Sequence, residues 1–224
     1  MIHKIFKKKK IENNLNYKSI YNSLSSFTMM PEDGFYANLE LAERVKSIQG
    51  CVVECGVWRG GMIAGVSRVL GSERDYYLFD SFEGLPPAKP IDGEGALKWQ
   101  NDKTSINYFD NCAAPQEFAE QAMKIAGAKS FHLIKGWFNE SLNQFNPQQQ
   151  IALLRLDGDW YESTMICLQV LFPHVAPGGL IIIDDYYIWD GCSRATHDFL
   201  SGKSAVERIN CFKNICFIQK KPLD

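Results

Sequence analysis

From residue 50 onward the sequence keeps returning to one texture, in which a short apolar run gives way to a stretch with helical periodicity. The apolar runs are Cys51-Val52-Val53, Tyr76-Tyr77-Leu78-Phe79, Phe131-His132-Leu133-Ile134, Ile151 to Leu156 and Leu180-Ile181-Ile182-Ile183. Helical patterns intervene at Met62 to Leu70, Pro115 to Ala126 and Ser163 to Phe172. Runs this short, apolar throughout and bounded by turn residues, predict buried parallel strands, and their alternation with helices predicts α/β layering. Val206 to Phe212 and Ile215 to Lys220, joined at Lys213-Asn214, read as a closing antiparallel hairpin at the sheet edge. Four of the runs end on acid: Glu54, Asp80, Asp157 and the pair Asp184-Asp185. Ligands of open parallel sheets bind at the carboxyl ends of the strands, so these side chains are predicted to share a crevice.

The rest of the chain adds few constraints. A length of 224 residues suits one domain with a small appendage. Residues 13–50 read as helical, broken at Met29 to Gly34, so residues 1–49 are taken as a helical extension and 50–224 as the main domain. With 24 basic against 26 acidic side chains and a net charge of -2, nothing asks for a nucleic-acid partner. No run approaches the ~18 apolar residues of a membrane span. The basic start (Lys4, Lys7 to Lys10) is followed by polar residues where a secretory signal needs an apolar run, and reads as a solvated end. Seven cysteines, an odd number without any C-x-x-C pair, fit a reducing compartment and a cytoplasmic protein. Between Glu83 and Pro115 lies a segment rich in Pro, Gly, Asp, Asn and Lys without clear structure, read as a functional lid or a mobile loop.

The chemistry-bearing residues divide into two sets. Gly56, Gly60 and Gly61 sit between a strand and a helix, where glycine lets the backbone approach a ligand. Their spacing is not G-x-G-x-x-G, and Glu54 at the strand tip suits an amine better than a pyrophosphate. Asp80, 24 residues past Gly56, is placed where an acidic residue bonds ribose hydroxyls, and Phe82 is a candidate to pack on a base. The second set is Asp157, Asp159, Asp184 and Asp185. Two like charges ~4 Å apart repel by about 4 kcal/mol at an effective dielectric near 20, so such a group needs a cation, a shared proton or a positive partner. Oxygen ligands favour Mg²⁺, Ca²⁺ or Mn²⁺. The competing reading is that these aspartates cap the helices or turns that follow. His132, His174 and His197 read as structural or solvent-facing. Trp58, Trp137, Trp160, Tyr161, Tyr186, Tyr187 and Trp189 either wall a pocket or pack the core. Serine-nucleophile, P-loop and zincin motifs are absent.

Five segments together resemble the macrocin O-methyltransferase (TylF-type) family. They are Val52 to Val57, Leu78-Phe79-Asp80-Ser81-Phe82-Glu83-Gly84-Leu85-Pro86, Lys135-Gly136-Trp137-Phe138, Leu156 to Thr164, and Pro177-Gly178-Gly179 with Asp184-Asp185-Tyr186. The resemblance implies a class I methyltransferase (Rossmann-like) fold: a seven-stranded, mostly parallel sheet with an antiparallel last strand, in three α/β/α layers. It also implies S-adenosylmethionine and a divalent cation, usually Mg²⁺, with a hydroxyl of a sugar or another polyhydroxylated small molecule or glycan as methyl acceptor. Carried over position by position, Glu54, Gly56, Val57 and Gly60 hold the methionine end of the cofactor and Asp80 its ribose. Ser81, Phe82, Gly136, Trp137 and Asp157 complete the cofactor residues. Asp157, Asp184 and Asp185 become the metal ligands and Asp159 the general base, with Asp157 and Asp159 close enough to exchange roles. Homo-oligomerisation stays open. The competing functions are a nicotinamide-dependent oxidoreductase on a similar sheet and a non-catalytic relative that binds cofactor or a partner protein.

Overall fold

The computed structural model describes residues 16–203 and 206–221, so the basic start of the chain lies outside the described residues. Its strands are β1 (Cys51–Cys55), β2 (Asp75–Asp80), β3 (Ser130–Lys135), β4 (Ile151–Leu156), β5 (Val175–Ile183), β6 (Ile209–Phe212) and β7 (Ile215–Gln219). They form one sheet in the order β3-β2-β1-β4-β5-β7-β6. The first five run parallel, β7 runs antiparallel to β5, and β6 pairs antiparallel with β7. The expected architecture is therefore present, with the last strand in sequence tucked between β5 and β6. Lys213 and Asn214 turn the hairpin with φ of 48° and 63°, the left-handed pair that tight hairpins require.

Side chains alternate across each strand, and the two faces carry two separate cores. Val52, Leu78, Leu153 and Ile182 pack with helix α1 (16–24), α2 (Glu32–Glu43), α3 (Gly61–Leu70) and α5 (Gln116–Ala126). Val53, Phe79, Leu154 and Ile181 pack with α7 (Tyr161–Leu171) and α8 (Asp190–Gly202). Two short helices, α4 (Glu94–Asn101) and α6 (Phe138–Ser141), lie above the strand tips. Every residue of β1 and β4 is buried, as expected for central strands covered on both faces. None of the described helices is long and apolar enough to cross a membrane.

Three local expectations change. Helix α2 starts at Glu32, inside the expected break, because extended Pro31 precedes it and Glu32 and Asp33 favour its first turn. Helix α8 was not anticipated, although Cys192, Ala195, Thr196 and Phe199 repeat at helical spacing and all are buried. The segment 83–115 is an ordered cap rather than a structureless loop. Asp92, only 3% exposed, anchors it: its Oδ1 accepts from the Tyr161 N–H at the start of α7 (2.7 Å), and its Oδ2 from the Lys89 N–H (2.7 Å). The Pro86 carbonyl accepts from both Trp160 Nε1 and Gln100 Nε2 at 2.9 Å.

Candidate active site

Strand register builds the site. Cys55 lies opposite Leu156 and Leu156 opposite Ile183, so the next residues, Gly56, Asp157 and Asp184, leave the sheet side by side. This is where strand order reverses between β1 and β4, the usual ligand position of an open α/β sheet. A cavity of about 720 Å³ opens there, within the range of small-molecule sites.

On the β1–β2 side the wall is shaped by backbone. Gly56 has φ of 86°, and a Cβ on it would fall 1.6 Å from the carbonyl oxygen of Asp157, so no other residue fits. The following turn is tied to Asp80, whose Oδ2 accepts from the N–H groups of Val57 (2.7 Å) and Trp58 (2.9 Å). Its Oδ1 accepts from the Phe82 N–H (2.6 Å). A carboxylate offers about four acceptor positions, so one is left for a ligand. Burial raises the Asp80 carboxyl, and the three N–H groups oppose that rise. Glu54 is 1% exposed and lines the cavity. Its Oε1 accepts from Arg155 Nη1 at 2.7 Å, while its buried Oε2 has no partner among the described residues. Burial pushes Glu54 up to about 8 against the pull of Arg155.

On the β4–β5 side the wall is made of charged side chains. Asp157, Asp184 and Asp185 each present a carboxylate oxygen within 4.8 Å of the others. Asp185 Oδ2 accepts from the Asp159 N–H at 3.0 Å, and Asp159 Oδ1 accepts from Trp189 Nε1 at 2.8 Å. Burial and then the charge of Asp157 push Asp159 up to about 8. Burial also lifts Asp184, to about 6, with Arg155 restraining the rise. The N-cap residues of α7 and of the turn at Asp184–Tyr187 are Trp160 and Ile183, neither making a side-chain cap bond, and the first N–H of α7 goes to Asp92, so the capping reading of these aspartates fails. Beneath them lies Arg155, 3% exposed, 2.8 Å from both Asp157 Oδ2 and Asp184 Oδ1. Burial by itself would lower its pKa, but Asp184, Asp157 and Glu54 hold the guanidinium well above its usual value, so it stays charged.

Comparison with known proteins agrees with this geometry. The family model described as Macrocin-O-methyltransferase (TylF) matches residues 4–221. The chain belongs to this family. Among curated relatives, the 8-demethyl-8-(2,3-dimethoxy-alpha-L-rhamnosyl)-tetracenomycin-C 4'-O-methyltransferase of Streptomyces olivaceus is 35% identical over 68% of this chain and 58% of its own length. The mycinamicin III 3''-O-methyltransferase of Micromonospora griseorubida is 32% identical over 68% of this chain and 61% of its own. The chain thus spans about three fifths of the length of the curated relatives it matches. Among solved structures, the O-methyltransferase NovP superposes with a TM-score of 0.72 at 25% identity, covering 88% of this chain and 83% of NovP. The calicheamicin methyltransferase CalS11 gives 0.66 at 18% identity over 94% of this chain and 92% of its own, a likeness of fold.

In this member of the family, most of the residues singled out from sequence meet at the cavity. Glu54, Gly56, Val57, Asp80 and Ser81 line one side, and Gly136 and Trp137 close it from β3. Asp157, Asp159, Asp184 and Asp185 line the other. Two residues do not reach the wall. Phe82 is 8% exposed and packs into the core, so the aromatic faces on this side are Trp58 and Trp137. Gly60 instead lets α3 approach α5, since a Cβ there would meet the Ala119 Cα at 2.8 Å. Of the other aromatics, Trp189 lines the cavity, Trp160 packs behind it at a ring distance of 5.3 Å, and Tyr161, Tyr186 and Tyr187 stay off the wall.

Sequence reasoning missed three contributors. Trp99, from the cap, completes the aromatic wall beside Trp189 at 5.9 Å. Phe27 to Pro31, ahead of the sheet, close one flank of the cavity. Arg155 is a charge inside an apolar strand for which the strand alone suggests no role, while the carboxylates require a cation, a shared proton or a positive partner. Part of that need is met by its guanidinium.

Proposed function

We propose that this chain is an S-adenosylmethionine- and divalent-cation-dependent O-methyltransferase acting on a hydroxyl of a sugar or another polyhydroxylated small molecule or glycan. The observation that carries the proposal is the meeting, in one cavity, of a buried unpartnered Glu54 oxygen and a three-aspartate oxygen cluster. Both fit the groups they would hold. Glu54 Oε2 suits the ammonium of an amino-acid-bearing cofactor, with Gly56 and Val57 against its methionine end and the remaining acceptor position of Asp80 for a ribose hydroxyl. Asp157, Asp184 and Asp185 form an all-oxygen donor set that suits Mg²⁺, Ca²⁺ or Mn²⁺ rather than zinc. When bound, these two groups supply an electrophilic methyl and a Lewis acid for the acceptor oxygen.

The protein's own residues would do the rest. Asp159, oriented by Trp189 Nε1, would accept the proton of the acceptor hydroxyl in its ionised form, which a cation held at the neighbouring aspartates would favour against its burial. One curated relative is an O-methyltransferase whose name carries a rhamnosyl group, and an acceptor sugar here would lie between Asp159 and the Trp99–Trp189 wall. The cap that carries Trp99, Leu85 and Pro86 excludes water from the reacting oxygen. A nicotinamide-dependent oxidoreductase is not favoured, because eight acidic side chains line the cavity with no dinucleotide glycine pattern to receive a pyrophosphate.

Titration calorimetry with S-adenosylhomocysteine and Mg²⁺ tests the first half: no heat of binding refutes the cofactor reading. Labelled methyl transfer to a panel of glycosides tests the second, with EDTA expected to stop turnover. Methyl transfer that continues undiminished in EDTA would remove the cation from the proposal, and binding without turnover on any glycan or small-molecule pool would favour a non-catalytic relative.

A further inference from the structure

Arg155 stands opposite Glu54 in the β1–β4 register and opposite Ile182 in the β4–β5 register. Glu54, Arg155 and Asp157 therefore point to one face, as does Asp184 two residues beyond Ile182. One guanidinium reaches all three carboxylates: Nη1 donates to Glu54 Oε1 (2.7 Å) and Asp157 Oδ2 (2.8 Å), and Nη2 is ion-paired with Asp184 Oδ1 (2.8 Å). The fourth direction is also used, since Nε lies 3.3 Å from Oδ1 of Asn38, a fully buried residue of α2. Asn38 is held in turn by its own Nδ2, which donates to the Gly34 carbonyl at 3.1 Å. A lysine could offer the charge but not this planar fork.

We infer that Arg155 is a resident cation that positions the cofactor carboxylate Glu54 and the metal aspartates Asp157 and Asp184 together before either ligand arrives. The inference rests on the proposed cofactor and cation subsites for its binding consequences, but not for its structural one. Three carboxyl groups thus face one buried guanidinium, with Glu54 closed to solvent and Asp184 and Asp157 partly open to the cavity (17% and 34% exposed). Removing the guanidinium leaves like charges at neighbouring strand tips with nothing to hold them apart from water. A divalent cation can then take over as counterion, so the fold should come to depend on it. Asn38 makes α2, which precedes the sheet in sequence, part of the same device.

The test compares wild type, Arg155→Met and Arg155→Lys as full chains. Metal-free Arg155→Met should melt about 10 °C below wild type, and Mn²⁺ should restore most of that loss while moving wild type much less. Arg155→Lys keeps the charge, so it should melt near wild type without metal yet bind S-adenosylhomocysteine about tenfold more weakly, because one ammonium cannot hold Glu54 and both aspartates in register. Equal metal-free melting of all three proteins, or a Lys variant that binds S-adenosylhomocysteine and Mn²⁺ as wild type does, overturns the inference. If Arg155→Met does not fold even with Mn²⁺, the Lys variant decides alone through its split between unchanged melting and weakened binding. Wild type that binds neither probe would remove the proposed function, while the metal-free melting series would still decide whether Arg155 holds the carboxylates.

Discussion

The two flanks of the cavity are built on opposite principles. On the β1–β2 flank the wall is backbone: Gly56 is pressed against the Asp157 carbonyl, and Asp80 spends most of its acceptor capacity on the N–H groups of Val57, Trp58 and Phe82. On the β4–β5 flank the wall is a set of aspartates whose partners are largely one another, Arg155 and Trp189. The first flank is shaped by backbone geometry and tolerates no added atom at Gly56. The second is held by charge and tolerates substitution sterically, but not electrostatically. A site that must grip a large cofactor and handle a proton benefits from both kinds of wall, because shape selects the cofactor while unsatisfied charge is available for chemistry.

Substitutions on the two flanks should therefore fail in different ways. Asp159→Asn keeps the shape and removes the proton acceptor, so turnover should fall by roughly 10²–10⁴-fold with S-adenosylhomocysteine affinity unchanged. Calorimetry on the same preparation checks the second part, and loss of both would mean that the flanks are not separable. Gly56→Ala should show the converse, with cofactor binding lost and on the order of 3 kcal/mol of stability removed by the clash and the left-handed backbone. Urea unfolding measures that loss, and a stable variant that binds cofactor normally would break the claim that geometry rules this flank. Trp189→Phe deletes the donor to Asp159 without emptying the wall, so kcat should drop about tenfold while the melting temperature moves little.

The smallest effect sharpens the role of Glu54. Because burial raises its pKa to about 8, it is mostly protonated at pH 7 in the ligand-free protein. An ammonium placed beside it favours the ionised form, so cofactor binding at pH 7 should release a proton, and the release should fade above pH 8. Calorimetry in buffers of different ionisation enthalpy reads this directly, and a binding enthalpy independent of buffer at pH 7 would contradict it.

Much of this was legible in the chain. The strand at Ile151–Leu156 has the boundaries its apolar run implies, and Asp157 and Asp159 follow it at the carboxyl end, where an open sheet places its ligand. Helix α8 could have been read from Cys192, Ala195, Thr196 and Phe199, and was hidden only by the polar residues between them. Other features were not written locally. Trp99 sits in a segment of turn-forming composition whose order comes from Asp92 and Pro86 meeting α7 and Trp160, contacts about 70 residues away in sequence. Phe82 stands beside Asp80 in a motif, yet its backbone φ of 54° turns its ring into the core.

Sequence by itself determined the layers, the strand tips and the kinds of residue found there, because periodicity of burial and the chemistry of turns are local properties. Only the tertiary structure decided which of those residues share a wall and which charges find partners. Arg155 shows why. Its type and its apolar neighbours can be read in β4, but its three carboxylates come from β1, from its own strand and from the end of β5. The register of separate strands set those distances, and register is settled by packing across the whole sheet.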